Sequence, residues 1–138
     1  MSAPSPEHGA ERSNVSATGV MLGIARCAAL LGLGVVGLLY LNDAFVSAWV
    51  AGGPPGPHKL GWERRSLASF LWSLAAFVAA VGLFRALGRL PRIGTLAWLL
   101  LAVAAGLALA PFVVREILID ACVDRGGRWL HAALECER

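Results

Sequence analysis

The sequence predicts an all-α membrane protein, with three transmembrane helices and a short, disulfide-tied extracytoplasmic tail. Three observations point there. Of 138 residues, 57% are hydrophobic and only 15% are charged, against about 45–50% apolar and about 25% charged in soluble domains. The charged residues avoid three long apolar stretches, each near the ~20 residues that a helix needs to cross a bilayer. Two cysteines bracket the last part of the chain, Cys122 and Cys136. A soluble enzyme or a nucleic-acid reader would need far more polar surface, and the net charge of +3 is scattered between apolar spans with no basic face for nucleic acid.

Residues 1–16 are small and polar with no apolar period, which predicts a disordered tail. A transmembrane domain follows over 17–114. Its first span, about 18–42, contains Arg26 and ends before Asp43. The sixteen uncharged residues Cys27–Asn42 rise about 24 Å as helix. Arg26 and Asp43 therefore fall near opposite surfaces, where each can reach outward; the competing reading buries Arg26 as a functional charge. Glu7 and Glu11 spoil the basic start of a secretory signal, so this span is expected to remain uncleaved.

Gly52, Gly53, Pro54, Pro55, Gly56 and Pro57 end the first helix and open a loop over 52–65. Trp49 and Trp62 flank this Gly/Pro break at the level expected for headgroups. The second span, about 67–84, is uncharged, and Ser66 and Gly88 bracket it. Arg85–Arg92 is short enough only for a tight antiparallel turn. The third span, about 93–114, is uncharged, with Pro111 in its last turn, where a kink costs least.

Arg85, Arg89 and Arg92 place this turn in the cytoplasm by the positive-inside rule, with Arg12 and Arg26 on the same side. The N-terminus is then inside and the C-terminus outside. The raw count runs the other way, five basic residues inside against seven outside, but Arg125, Arg128 and Arg138 lie farther from the bilayer. The tail, 115–138, supports this orientation. Gly126-Gly127 permits a reversal that brings Cys122 to Cys136, and closing a loop of about 15 residues contributes roughly 3 kcal/mol by the chain-entropy argument. Such a bond needs an oxidising compartment. A redox-active pair and a metal site on Cys122, His131 and Cys136, with Asp124 or Glu135 as fourth ligand, compete with it, though neither has its usual spacing.

Cys122, Gly126-Gly127, Trp129 and Cys136 together resemble a cysteine-bracketed segment of small, uncharacterised bacterial envelope proteins. The resemblance covers about 15 residues and implies an extracytoplasmic disulfide; it carries no activity. The Arg, Ala, Gly and Leu richness fits a GC-rich bacterial gene, and the expected location is the bacterial inner membrane.

Small residues recur at helical spacing in every span: Gly19, Gly23, Cys27, Gly34 and Gly37; Ser66, Ser69, Ser73, Ala76 and Ala80; Ala102, Gly106 and Ala110. Such faces let membrane helices approach closely, so the expected partners are lipids, other membrane proteins or a second copy, and no nucleic acid. His8, His58 and His131 all lie outside the spans, which leaves a bis-His haem without ligands. No Asp or Glu sits at mid-bilayer, as a proton-coupled transporter would need. No catalytic residue, cofactor or metal is therefore expected. Arg64, Arg65 and Arg115, with Glu116 and Asp120, form the one candidate cluster, as an ion-pair set or an anion or headgroup site. The expected function is a non-enzymatic accessory or scaffold component of a membrane or envelope complex; the alternative is a small subunit of an oligomeric transporter or channel.

Overall fold

A computed structural model describes residues 7–54, 56 and 58–137, with only the backbone for 7–18. Three helices dominate: α1 (Glu7–Ala51), α2 (Lys59–Leu87) and α3 (Thr95–Val123). All three contain segments long and apolar enough to cross a membrane. The helices overrun the expected spans. α1 is already helical from Glu7, inside the segment expected as an irregular tail, and residues 1–6 lie outside the described residues. Extending an existing helix needs no new nucleus, so a polar sequence can continue it. α2 starts at Lys59, which shortens the loop expected over 52–65, and α3 runs past Arg115 to Val123. At 29 residues each, α2 and α3 rise about 43 Å, the thickness of a bilayer with its headgroups.

The helices lie side by side. α1 packs on α2 and α2 on α3, whereas α1 and α3 hardly touch. What holds them is close backbone approach rather than large side chains. Every buried residue of α2 is Gly, Ala or Ser: Ser69, Ser73, Ala76 and Ala80 of the expected stripe, joined by Gly61, Ala75, Gly82 and Ala86. On α1 the buried line is Gly37, Ala44, Ser47 and Ala51. Without a strong hydrophobic drive between helices in lipid, such small seams maximise contact. The large apolar residues point outward instead, Trp49 being 82% exposed.

Two expected stripes face elsewhere. Gly19, Gly23 and Gly34 meet no neighbouring atoms and Cys27 is exposed, so only Gly37 of that set enters the α1–α2 seam. Ala102 and Gly106 are likewise exposed, while Ala97 and Ala104 are buried. A Cβ added at Gly37 would stand 2.9 Å from the Phe77 ring. Gly37→Leu is therefore expected to part α1 from α2 at a cost of about 1–3 kcal/mol; a drop in the thermal midpoint in detergent checks this, and an unchanged midpoint contradicts it.

Arg26 lies at the α2–α3 turn. Its guanidinium stacks 4.3 Å from the centre of the Phe84 ring and approaches Gly88. That level belongs to the end of the helices, and the Arg26 Nε is buried with no hydrogen-bond partner among the described residues.

Candidate functional site

The polar residues gather at the other end of the helices, where the tail folds back. α3 ends in a turn at Asp124–Gly127. β1 (Arg128–Leu130) then pairs antiparallel with β2 (Glu135–Glu137), Trp129 opposite Cys136. The Cys122–Cys136 disulfide ties β2 to the last turn of α3, with Cα atoms 5.7 Å apart. Gly126 takes φ 71°, a conformation favouring glycine. At Gly127 a Cβ would lie 2.6 Å from the Cys136 sulfur, so the Gly-Gly pair both turns the chain and admits the disulfide. Two strands of three residues would not be stable alone; this tie and docking on α2 hold them.

The docking is specific. His58, the N-cap of α2, is itself left-handed (φ 115°) and offers no side-chain cap. The free N–H groups of the first turn thus need an outside acceptor. Glu135 supplies it: the Gly61 N–H donates to Oε1 at 3.0 Å, and His58 Nδ1 lies 3.2 Å from Oε2. A carboxylate here also meets the positive end of the helix dipole. Beside it Arg64 donates to the Leu134 carbonyl, and its guanidinium lies 5.6 Å from the centre of the Trp129 ring.

Burial pushes the Glu135 carboxyl up, but the hydrogen bonds from His58 and the Gly61 N–H, with the charges of His58 and Arg64, outweigh it and hold the group below its ordinary value. A depressed folded value means stability that is full above the unfolded value and lost as pH falls through the folded one. The tail is therefore expected to loosen in acid, below about pH 4.3, read by hydrogen exchange of the hairpin amides. Glu135→Gln should flatten that dependence; an identical acid profile in the variant would contradict the assignment.

On the α1 side, Asp43 accepts from Ser69 Oγ at 2.6 Å and from Arg65 Nη2 at 3.2 Å. Between these groups lies an open cavity of about 880 Å³, whose walls include Tyr40, Trp62, Trp72 and His131. Tyr40 stacks against Trp72 with ring centres 5.4 Å apart, and Trp72 against Phe112 at 5.6 Å. Trp72 Nε1 donates to the Ala108 carbonyl at 3.1 Å, in the turn where Pro111 withholds an N–H from α3. This aromatic row separates the large cavity from a second, of about 200 Å³, between α2, α3 and the tail, which Arg64, Arg115 and Trp129 line.

The expected cysteine pair thus forms. Held as a disulfide, its sulfurs are not the thiolates that a site on Cys122, His131 and Cys136 would need. The arginine cluster comes together in part. Arg64 and Arg115 share the small cavity, whereas Arg65 faces Asp43. Glu116 pairs with its neighbour Arg115 at 3.5 Å, and Asp120 joins no ion pair among the described residues. The expected pairing of Glu116 or Asp120 with Arg64 or Arg65 is not made, because α1 and the tail reach those arginines first. The pairing of Asp43 with Ser69 and Arg65, and of Glu135 with His58 and Gly61, escaped the sequence reading. For Asp43 a signal existed: the antiparallel register that sets Arg26 beside Phe84 also sets Asp43 beside Arg65.

The helices and the tail define a chain with three membrane-crossing-length helices and a disulfide-tied cap over one end. No protein-family model, curated protein or solved structure matches it.

Proposed function

We propose that this is a small multi-pass protein of the bacterial inner membrane, with its N-terminus cytoplasmic and its tail periplasmic. Its role is that of a non-enzymatic accessory or scaffold component of a membrane complex. One observation carries the reading: the helices lie side by side rather than bundled, so α1 and α3 each keep a broad exposed face. Small-residue approaches remain open on both, at Gly19 and Gly23 of α1 and at Gly106 of α3. Such a layer suits packing between larger membrane proteins, and the clamped tail gives it a rigid outer end.

The test is isolation of the tagged full chain in mild detergent. A hetero-complex of fixed stoichiometry that re-forms from its purified components is the expected result. A homo-oligomer that moves solute across liposomes would replace this reading with that of a transporter or channel subunit. Orientation is checked by labelling Cys136 in intact cells with an impermeant thiol reagent. Labelling only after reduction fits a periplasmic disulfide, and labelling only after lysis overturns the orientation.

A further inference from the structure

The smaller cavity has a one-sided chemistry. Among the described residues, Arg64 and Arg115 are the only charged ones in its lining, and Leu71, Phe112 and Leu118 belong to its apolar wall. Trp129 also belongs to the wall and is only 9% exposed. Arg64 spends one donor on the Leu134 carbonyl, and a guanidinium carries five. Arg115 has only a 3.5 Å contact with its exposed neighbour Glu116. The polar side of the cavity therefore offers donors and positive charge. Among the described residues no carboxylate lines it, and the nearby Glu135 is engaged by His58 and Gly61.

The position matters as much as the composition. Arg115 directly follows the uncharged third span, and Leu71 and Phe112 lie within the apolar segments. The cavity thus crosses the boundary between charge and hydrocarbon. From these observations we propose that it binds an amphiphilic anion: a carboxylate or phosphate head held by Arg64 and Arg115, with one alkyl segment between α2 and α3. A cationic head would be repelled by both arginines. An alkane or alcohol would leave the guanidiniums without a charged acceptor. The volume of about 200 Å³ is below the ~300 Å³ at which drug-sized pockets begin, so it takes a chain segment and not a whole two-tailed lipid. The head chemistry is shared by free fatty acids and anionic phospholipids.

The experiment uses the full chain, oxidised, in nonionic detergent micelles, with dodecanoate carrying a terminal diazirine as the photoprobe. Labelling is expected on α2 and α3 around Leu71, Phe112 and Leu118. Dodecanoate should compete about tenfold better than dodecanol, as one charge-assisted hydrogen bond implies. Competition by phosphatidylglycerol but not phosphatidylcholine identifies a phospholipid as the source, and competition by dodecanoate alone identifies a fatty acid. Arg115→Gln should weaken labelling about tenfold, and Leu118→Trp should fill the site and abolish it. Arg115 makes no hydrogen bond or ion pair with the hairpin among the described residues. Its variant therefore reports on the cavity and not on the seating of the hairpin. Equal competition by dodecanol, or labelling of Arg115→Gln and Leu118→Trp at the wild-type level, overturns the proposal. Neither result bears on whether the chain assembles with a partner.

Discussion

Gly61→Ala is expected to lift the tail hairpin off α2, although alanine is the better helix former. Propensity alone favours the variant by up to about 1 kcal/mol. Against this, the new Cβ would run into the Ala133 carbonyl. That obstacle is backbone, so no rotamer change relieves it, and overpacking of this kind costs about 1–3 kcal/mol. Moving the hairpin away also gives up the Glu135 cap on Gly61 and the Arg64 bond to Leu134, and a lost cap alone costs about 1 kcal/mol. The losses outweigh the gain. Hydrogen exchange of residues 128–137 should rise while the middle of α2 stays protected. A variant that keeps its tail protection and melts higher would show that propensity wins and that the hairpin is only loosely seated.

The double replacement Cys122→Ser with Cys136→Ser should have the second large effect, confined to the tail. Removing the tie across 14 residues of sequence takes away roughly 3 kcal/mol, about a hundredfold in the population of the open tail. Arg125 and Arg128 then become good sites for trypsin, so the rate of tail cleavage is the measurement. The helices should keep their content, because their seams are made of small residues far from the sulfurs. Unchanged cleavage would mean that Glu135 and Arg64 alone hold the hairpin down.

The sequence carried the spans, the break at Gly52-Gly53-Pro54 and the cysteine pairing, because each follows from local composition or from one short loop. Helix faces were harder. In a chain this rich in Gly and Ala, small residues recur at helical spacing on more than one face. Ala102 and Gly106 therefore looked as good as Ala97 and Ala104, and only packing separates them. The partners of the arginines depend on tertiary register. Arg64 and Arg65 are adjacent, yet one turns to the tail and the other to Asp43. Glu135 was illegible as a cap because it lies 74 residues along the chain from the Gly61 N–H it accepts.

The folded-back tail also bears on how α2 and α3 are held along their length. A seam of alanines and glycines is smooth, and by itself it resists sliding weakly. Here Cys122 fastens β2 to α3 covalently, while Glu135 and Arg64 fasten the same hairpin to the start of α2. A slip of α3 past α2 by one turn, about 5.4 Å, would have to break one grip or the other. The hairpin acts as a strut across the ends of two rods and sets their axial alignment, which leaves the helix faces free to be nearly featureless.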